Sequence, residues 1–198
     1  NPVSYSFSPG ENENVLFEPL YILLDQSPLL QVITSLVLVI IIAFLMQMLN
    51  SRFSFIRIRT KLIPILYVII IAGFTELHTL HSVYFAILFL LFALYSLFDT
   101  FDKSKPYNNI FNAGFLLGIG SLFYLNLIVL FPAFVIGIGV LTKDSNWRGY
   151  VILFIGFFVP LIFATSYATL TDQFTELLKI FLKNINTPKN PIPANIPL

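Results

Sequence analysis

Glu76, His78 and His81 fall within one short polar stretch, TELHTLHS, and carboxylate and imidazole are ligand types that a zinc-like ion takes. His78 and His81 stand three apart, so a helix would point both the same way and let them share a metal with Glu76 nearby. A second role suits the same residues: capping a tight turn at a membrane surface, where exposed backbone groups need polar partners. Haem does not fit, because three-residue spacing within one turn does not set two axial ligands across a macrocycle. The expectation is a protein without a cofactor. The other acids of interest come early, in ENENVLFEPL, where Glu11, Glu13 and Glu18 could hold a metal or act as a general base. They also read as a solvated acidic loop, since no pair among them has a spacing specific to catalysis.

Other chemistries are excluded by residue type. The chain has no cysteine, so it forms no disulfide and offers no thiolate ligand or thiol nucleophile. It also has no Walker-type glycine loop, no nucleophile elbow and no zinc-protease helix. Pumping would need ionisable residues deep in a bundle, and the apolar runs carry none at their centres.

A membrane must position these residues. Of the 198 residues, 57% are hydrophobic and 11% charged, the mean hydropathy is +0.86, and several apolar runs approach bilayer length. The apolar segments are Pro28 to Leu49, Leu62 to about Glu76, Ser82 to Phe98, Ile110 to Leu141, and Tyr150 to Thr169. Between them lie three short stretches that hold eight of the eleven basic residues. These are NSRFSFIRIRTK with Arg52, Arg57, Arg59 and Lys61, DTFDKSKPYNN with Lys103 and Lys105, and TKDSNWRG with Lys143 and Arg148. The positive-inside rule makes all three cytoplasmic. Nucleic acid is not expected as a partner.

That placement decides how Ile110 to Leu141 crosses. Lys105 and Lys143 flank it on one side, so it crosses an even number of times, as a short hairpin turning near Phe123 to Asn126. Leu62 to Phe98 follows the same logic, with TELHTLHS as its outer turn. The expected fold is an all-α integral membrane bundle of six transmembrane helices over residues 28–169, including two short hairpins. An external juxtamembrane segment precedes it (1–27), and an external amphipathic helix with a proline-rich tail follows (170–198). Both ends are then periplasmic, in a multi-pass protein of a bacterial inner membrane. The external start, with no signal-peptide pattern, further predicts a membrane helix ahead of Asn1. Seven of the nine glycines lie in the apolar segments. Gly114, Gly118 and Gly120 mark helix packing, where small residues allow close backbone approach.

The two ends differ in character. Leu16, Phe17, Leu20, Tyr21 and Leu24 are able to face lipid beside the early acids. At the far end Phe174, Leu177, Leu178, Phe181 and Leu182 recur at helical spacing opposite Asp172, Glu176, Lys179 and Lys183, a pattern for a helix lying on the outer surface. The prolines from Pro188 to Pro197 then favour an extended spacer or a partner contact.

Two resemblances bear on function. NNIFNAGFLLGIGSLFYLNLIVLFPAFVIGIGVL followed by NWRGYVILFIGFFVP resembles an uncharacterised family of Bacteroidota inner-membrane proteins. In that family a similar FNAGFL…SLFY hairpin precedes an NWRE-like cytoplasmic turn; here Gly149 replaces the acid. The resemblance runs from about Lys61 to Pro160 and implies a polytopic membrane protein with no activity attached. Members are sometimes mislabelled beta-carotene monooxygenases, an activity that takes several histidines around an iron in a soluble β-propeller; two histidines and almost no strand pattern argue against it. More distantly, the hairpin of a small-residue helix, an outer turn and a proline-containing helix resembles membrane-embedded, GT-C-like glycosyltransferases that use polyprenyl-phosphate sugars. That likeness implies an acid of the first external loop as base or metal ligand, which would be Glu11, Glu13 or Glu18. No DD or DxD pair is present, and Lys179, Lys183 and Lys189 are the external cations available to a lipid phosphate.

The leading expectation is a non-catalytic accessory or scaffold subunit of a membrane complex, with lipids and other membrane subunits as partners. The alternative is a GT-C-like transferase that binds polyprenyl phosphate at the periplasmic face.

Overall fold

Apolar residues without a sharp polar face favour helices buried on all sides or set in lipid, and six α-helices of this kind are found among the described residues. The computed structural model describes residues 16–17, 28–53, 62–73, 80–101, 103, 105–142 and 147–170. The helices are α1 (Pro28–Phe53), α2 (Leu62–Gly73), α3 (Ser82–Phe98), α4 (Tyr107–Phe123), α5 (Phe131–Leu141) and α6 (Trp147–Leu170), and no strand forms among the described residues. A 3₁₀-helix, Leu125–Leu130, leads directly into α5. Two helices, α1 and α6, are long and apolar enough to cross a membrane. Their 26 and 24 residues give about 39 and 36 Å at roughly 1.5 Å per residue, against a hydrocarbon core of about 30 Å. The other apolar helices are shorter than a full span.

The stretch from Ile110 to Leu141 does double back. α4 ends at Phe123, Tyr124 turns the chain in extended geometry, and the 3₁₀-helix begins the return. A 3₁₀-helix rises about 2.0 Å per residue, so its six residues add about 12 Å to the roughly 16 Å of α5. The returning arm thus gains length without gaining residues. Pro132 sits in the first turn of α5, where its missing N–H costs nothing. Pro160 lies inside α6, buried, with its ring against the face of Gly118.

The helix directions follow from which residues meet. Along α4 and α6, Ile110 lies at Gly149, Gly114 at Leu153 and Phe157, and Gly118 at Phe157 and Pro160, so both numberings advance together and the helices are parallel. α3 runs antiparallel to α4, since Ala86 and Phe89 lie at Gly120 while Asp99 bonds Asn109. α5 opposes α6, with Phe131 against Phe154 and Phe157 at one end and Gly139 at Tyr150 toward the other. The core is built on α3, α4 and α6 with α1 and α5 alongside, and includes Ile42, Ala93, Ile110, Ala113, Leu117, Phe134, Ile138 and Leu153. α2 has no buried residue and packs on the edge of α1.

The outward surface is apolar. Leu29, Ile33, Leu36, Ile40 and Phe44 form one exposed stripe of α1, and Phe158, Ile162, Phe163 and Tyr167 lie exposed on α6. Contiguous apolar surface on this scale suits lipid tails rather than water.

Phe17 departs from its expected place. Rather than facing lipid it is fully buried, 6.3 Å from the ring of Phe85, which stacks on Phe123. A long-range bond accompanies this: the Leu16 N–H donates to the Leu122 carbonyl, one of the acceptors left free at the end of α4, and holds Leu16 and Phe17 on the bundle.

Candidate functional site

The charged residues that are described gather at one end. Arg52, Asp99, Lys103, Lys105 and Arg148 are the charged side chains among the described residues, and all lie where α1 and α3 finish and α4 and α6 begin. Asp99 is the one carboxylate among them and the centre of the cluster.

Its position requires partners. Asp99 follows the last residue of α3, at the negative end of a helix dipole, where an acid is disfavoured unless cations or donors compensate. Three do. Arg52 Nη2 lies 2.6 Å from Oδ1, Lys103 Nζ donates to Oδ2 at 2.5 Å, and Asn109 Nδ2 donates to Oδ2 at 2.7 Å. Each donor comes from a different part of the chain: the last turn of α1, the turn after α3 and the first turn of α4. The guanidinium of Arg52 also stands 5.0 Å from the centre of the Tyr95 ring, a cation–π contact that holds it over α3. Thr100 is fully buried beneath, with Oγ1 donating to the Leu97 carbonyl at 2.6 Å, and Thr142 closes α5 in the same way on Ile138.

This carboxylate is a clamp. The hydrogen bond from Lys103 holds the Asp99 carboxyl below its ordinary value; partial burial works against that, and Asn109 and Arg52 add to the lowering. A general base is tuned toward the working pH, whereas Asp99 is tuned away from it and stays ionised. Its depressed folded-state value means that its contribution is complete above the unfolded carboxyl's value, about 3.9 for an ordinary Asp, and is lost as pH falls through the folded-state value. Acid titration of the detergent-solubilised protein is therefore expected to show a loss of stability below about pH 4 that Asp99→Asn reduces. An unchanged acid limb in the variant would remove Asp99 from this role.

The opposite end is aromatic and uncharged among the described residues. Phe85, Phe89 and Phe123 stack, and Asn126 Nδ2 donates to the Tyr124 hydroxyl at 3.1 Å. His81 sits here as the N-cap of α3, its Nδ1 accepting from the Val83 N–H at 3.4 Å.

The expected site residues divide as follows. Glu11, Glu13, Glu18, Glu76, His78, Arg57, Arg59 and Lys61 lie outside the described residues. Among the described residues no group of three His, Asp or Glu side chains could hold a metal. Gly114 and Gly118 face α6, where an added Cβ would stand 2.5 Å from the carbonyl oxygens of Leu153 and Phe157, and Gly120 faces Leu127. Arg52 and Arg148 are exposed at the charged end, with Trp147 exposed beside Arg148 as membrane-interface anchors often are. Sequence reasoning misses Asp99 and Asn109, although Asp99 and Lys103 stand at i, i+4 and an acid after an apolar helix is a flag in itself.

Among the described residues the architecture is thus that of an all-helical bundle with two helices of membrane-spanning length, an apolar exterior and one charged end. By its sequence the chain belongs to DUF6427, a family of unknown function whose pattern it matches over residues 17–191. No curated protein and no solved structure matches it.

Proposed function

We propose that this chain is a multi-pass inner-membrane protein that serves as a non-catalytic accessory or scaffold subunit of a membrane complex. The single observation that carries this reading is the use made of Asp99. The carboxylate spends three acceptor positions and its charge on joining α1, α3 and α4, which is a structural task. The exposed apolar faces of α1, α2 and α6 support burial in lipid and against neighbouring subunits. In this reading the charged end is cytoplasmic and both ends of the chain are periplasmic.

Topology can be tested directly. In intact cells a cysteine replacing Lys105 is expected to resist a membrane-impermeant thiol reagent and one replacing Asn126 to react. The reverse labelling would invert the orientation, and equal labelling would rule out the crossing. For the subunit role the measurement is native mass spectrometry after gentle extraction. Partner proteins at fixed stoichiometry, lost from the membrane when this chain is deleted, are expected.

The alternative is a GT-C-like transferase working on a polyprenyl-phosphate sugar at the periplasmic face. It is supported by Leu16 and Phe17, which lie between Glu13 and Glu18 in sequence and pack at the end away from the described charges. A lone chain carrying polyprenyl phosphate would favour it. Unchanged glycoconjugates in a strain with Glu11→Gln, Glu13→Gln and Glu18→Gln together would eliminate it.

A further inference from the structure

Beside the Asp99 clamp lies a hollow of about 340 Å³ lined by Phe53, Phe98, Asp99, Phe101, Lys103 and Leu141. We propose that it binds an anionic phospholipid of the leaflet at that end, with the headgroup phosphate on Lys103 in the lining and on Arg52, which shares Asp99 with it, and an acyl chain along the phenylalanines. This rests on the membrane reading above and adds a ligand to it.

Charge comes first. Four cations and one carboxylate are described at this end, and Asp99 is already committed to two of those cations. Lys103 carries three N–H donors and Arg52 five, and each gives one to Asp99 in the contacts above. Their side chains are about half exposed, at 45% and 51%; Arg52 also hydrogen-bonds the Tyr95 side chain, and the donors left over from these contacts can serve an anion. Asp99 thereby fixes the two cations in place without exhausting them. Phosphate is the anion such paired cations recognise, through short charge-assisted hydrogen bonds.

Shape and lining then select an amphiphile. The volume falls at the small end of ligand-sized cavities and exceeds what a bare phosphate needs. Four of the six lining residues are apolar. Phe101 stands at the rim, 64% exposed, an apolar ring at the level of the charged groups. Basic residues beside apolar helix surface at the cytoplasmic boundary are the arrangement that holds anionic headgroups.

The test uses the full chain purified in an uncharged maltoside detergent and titrated in native mass spectrometry with phosphatidylglycerol, phosphatidylcholine or inorganic phosphate. Phosphatidylglycerol is expected to be retained at least about five-fold more than phosphatidylcholine, equivalent to roughly 1 kcal/mol. Lys103→Gln should abolish the preference and Lys105→Gln should keep it. Phe101→Ser leaves the Asp99 contacts intact and should weaken retention, which separates loss of the site from loss of the fold. Equal retention of the two lipids, or equal losses from Lys103→Gln and Lys105→Gln, would overturn the site. Displacement of phosphatidylglycerol by inorganic phosphate would replace the lipid with a soluble anion. A protein that needs detergent yet shows no lipid preference loses this site and keeps the membrane reading; one that dissolves without detergent loses both.

Discussion

Gly156→Leu is expected to separate α4 from α6 and cost the protein most of its thermal stability. At Gly156 a Cβ would stand 2.5 Å from the Phe111 carbonyl oxygen and 3.2 Å from the Phe115 nitrogen. Gly114 and Gly118 meet the facing carbonyls of Leu153 and Phe157 at the same 2.5 Å. The obstacles are backbone atoms of a packed helix, which cannot turn aside as a side chain does. In the membrane reading proposed above, close packing replaces the hydrophobic drive available in water, so nothing would compensate for a gap opened along this seam. Overpacking costs about 1–3 kcal/mol for a methyl-sized insertion, which sets the expectation for Gly156→Ala, and leucine adds three more carbons to the clash. Gly73 is the control, because nothing lies within 4 Å of its Cβ position, and Gly73→Ala should be neutral or slightly stabilising. Thermal melts in one detergent, followed by far-ultraviolet circular dichroism, should rank Gly73→Ala highest, then Gly156→Ala, then Gly156→Leu. A Gly156→Leu melt equal to that of Gly73→Ala would mean that α4 and α6 do not meet on this face.

Why one side of this seam is legible in the sequence and the other is not is a matter of spacing. Gly114 and Gly118, four apart within an uncharged run, announce a flat helix face. Gly149 and Gly156 lie seven apart, two turns along one face of α6, and each alone reads as an incidental small residue. The reversal between α4 and α5 is legible from Lys105 and Lys143, because basic residues on both flanks are expected on one side and so imply that the chain turns back. The 3₁₀-helix at Leu125–Leu130 cannot be read, since five apolar residues and the single polar Asn126 carry no period to distinguish 3.0 from 3.6 residues per turn. The burial of Phe17 is hidden for a related reason: an aromatic residue beside acids suits a membrane surface as well as a core, and only the bond from Leu16 to Leu122, more than a hundred residues away, decides. The Asp99 clamp depends on Arg52 and Asn109, 47 and 10 residues away, so sequence supplies Lys103 and no more.

Asp99→Ala is expected to cost about 1–3 kcal/mol, the range for removing a charged acceptor that is neither fully buried nor free in water. Its partners do not contribute equally. Arg52 and Lys103 are half exposed, and double-mutant cycles with Asp99 should return small couplings for each that fall as salt is added. Asn109 makes a partly buried bond to the same carboxylate, and its coupling should survive salt because its side chain carries no charge. Asp99→Asn should fall between wild type and alanine, since it keeps an acceptor oxygen and gives up the charge. The loss should be local, releasing the end of α1 from α3 and α4 and leaving the glycine seam intact, so that hydrogen exchange rises around Arg52 and Asn109 but not around Gly114. Were exchange to rise throughout the bundle instead, the charged end and the glycine seam would be one cooperative unit. The whole bundle would then depend on a single carboxylate, and under the proposal above a lipid beside it would stabilise more than the charged end.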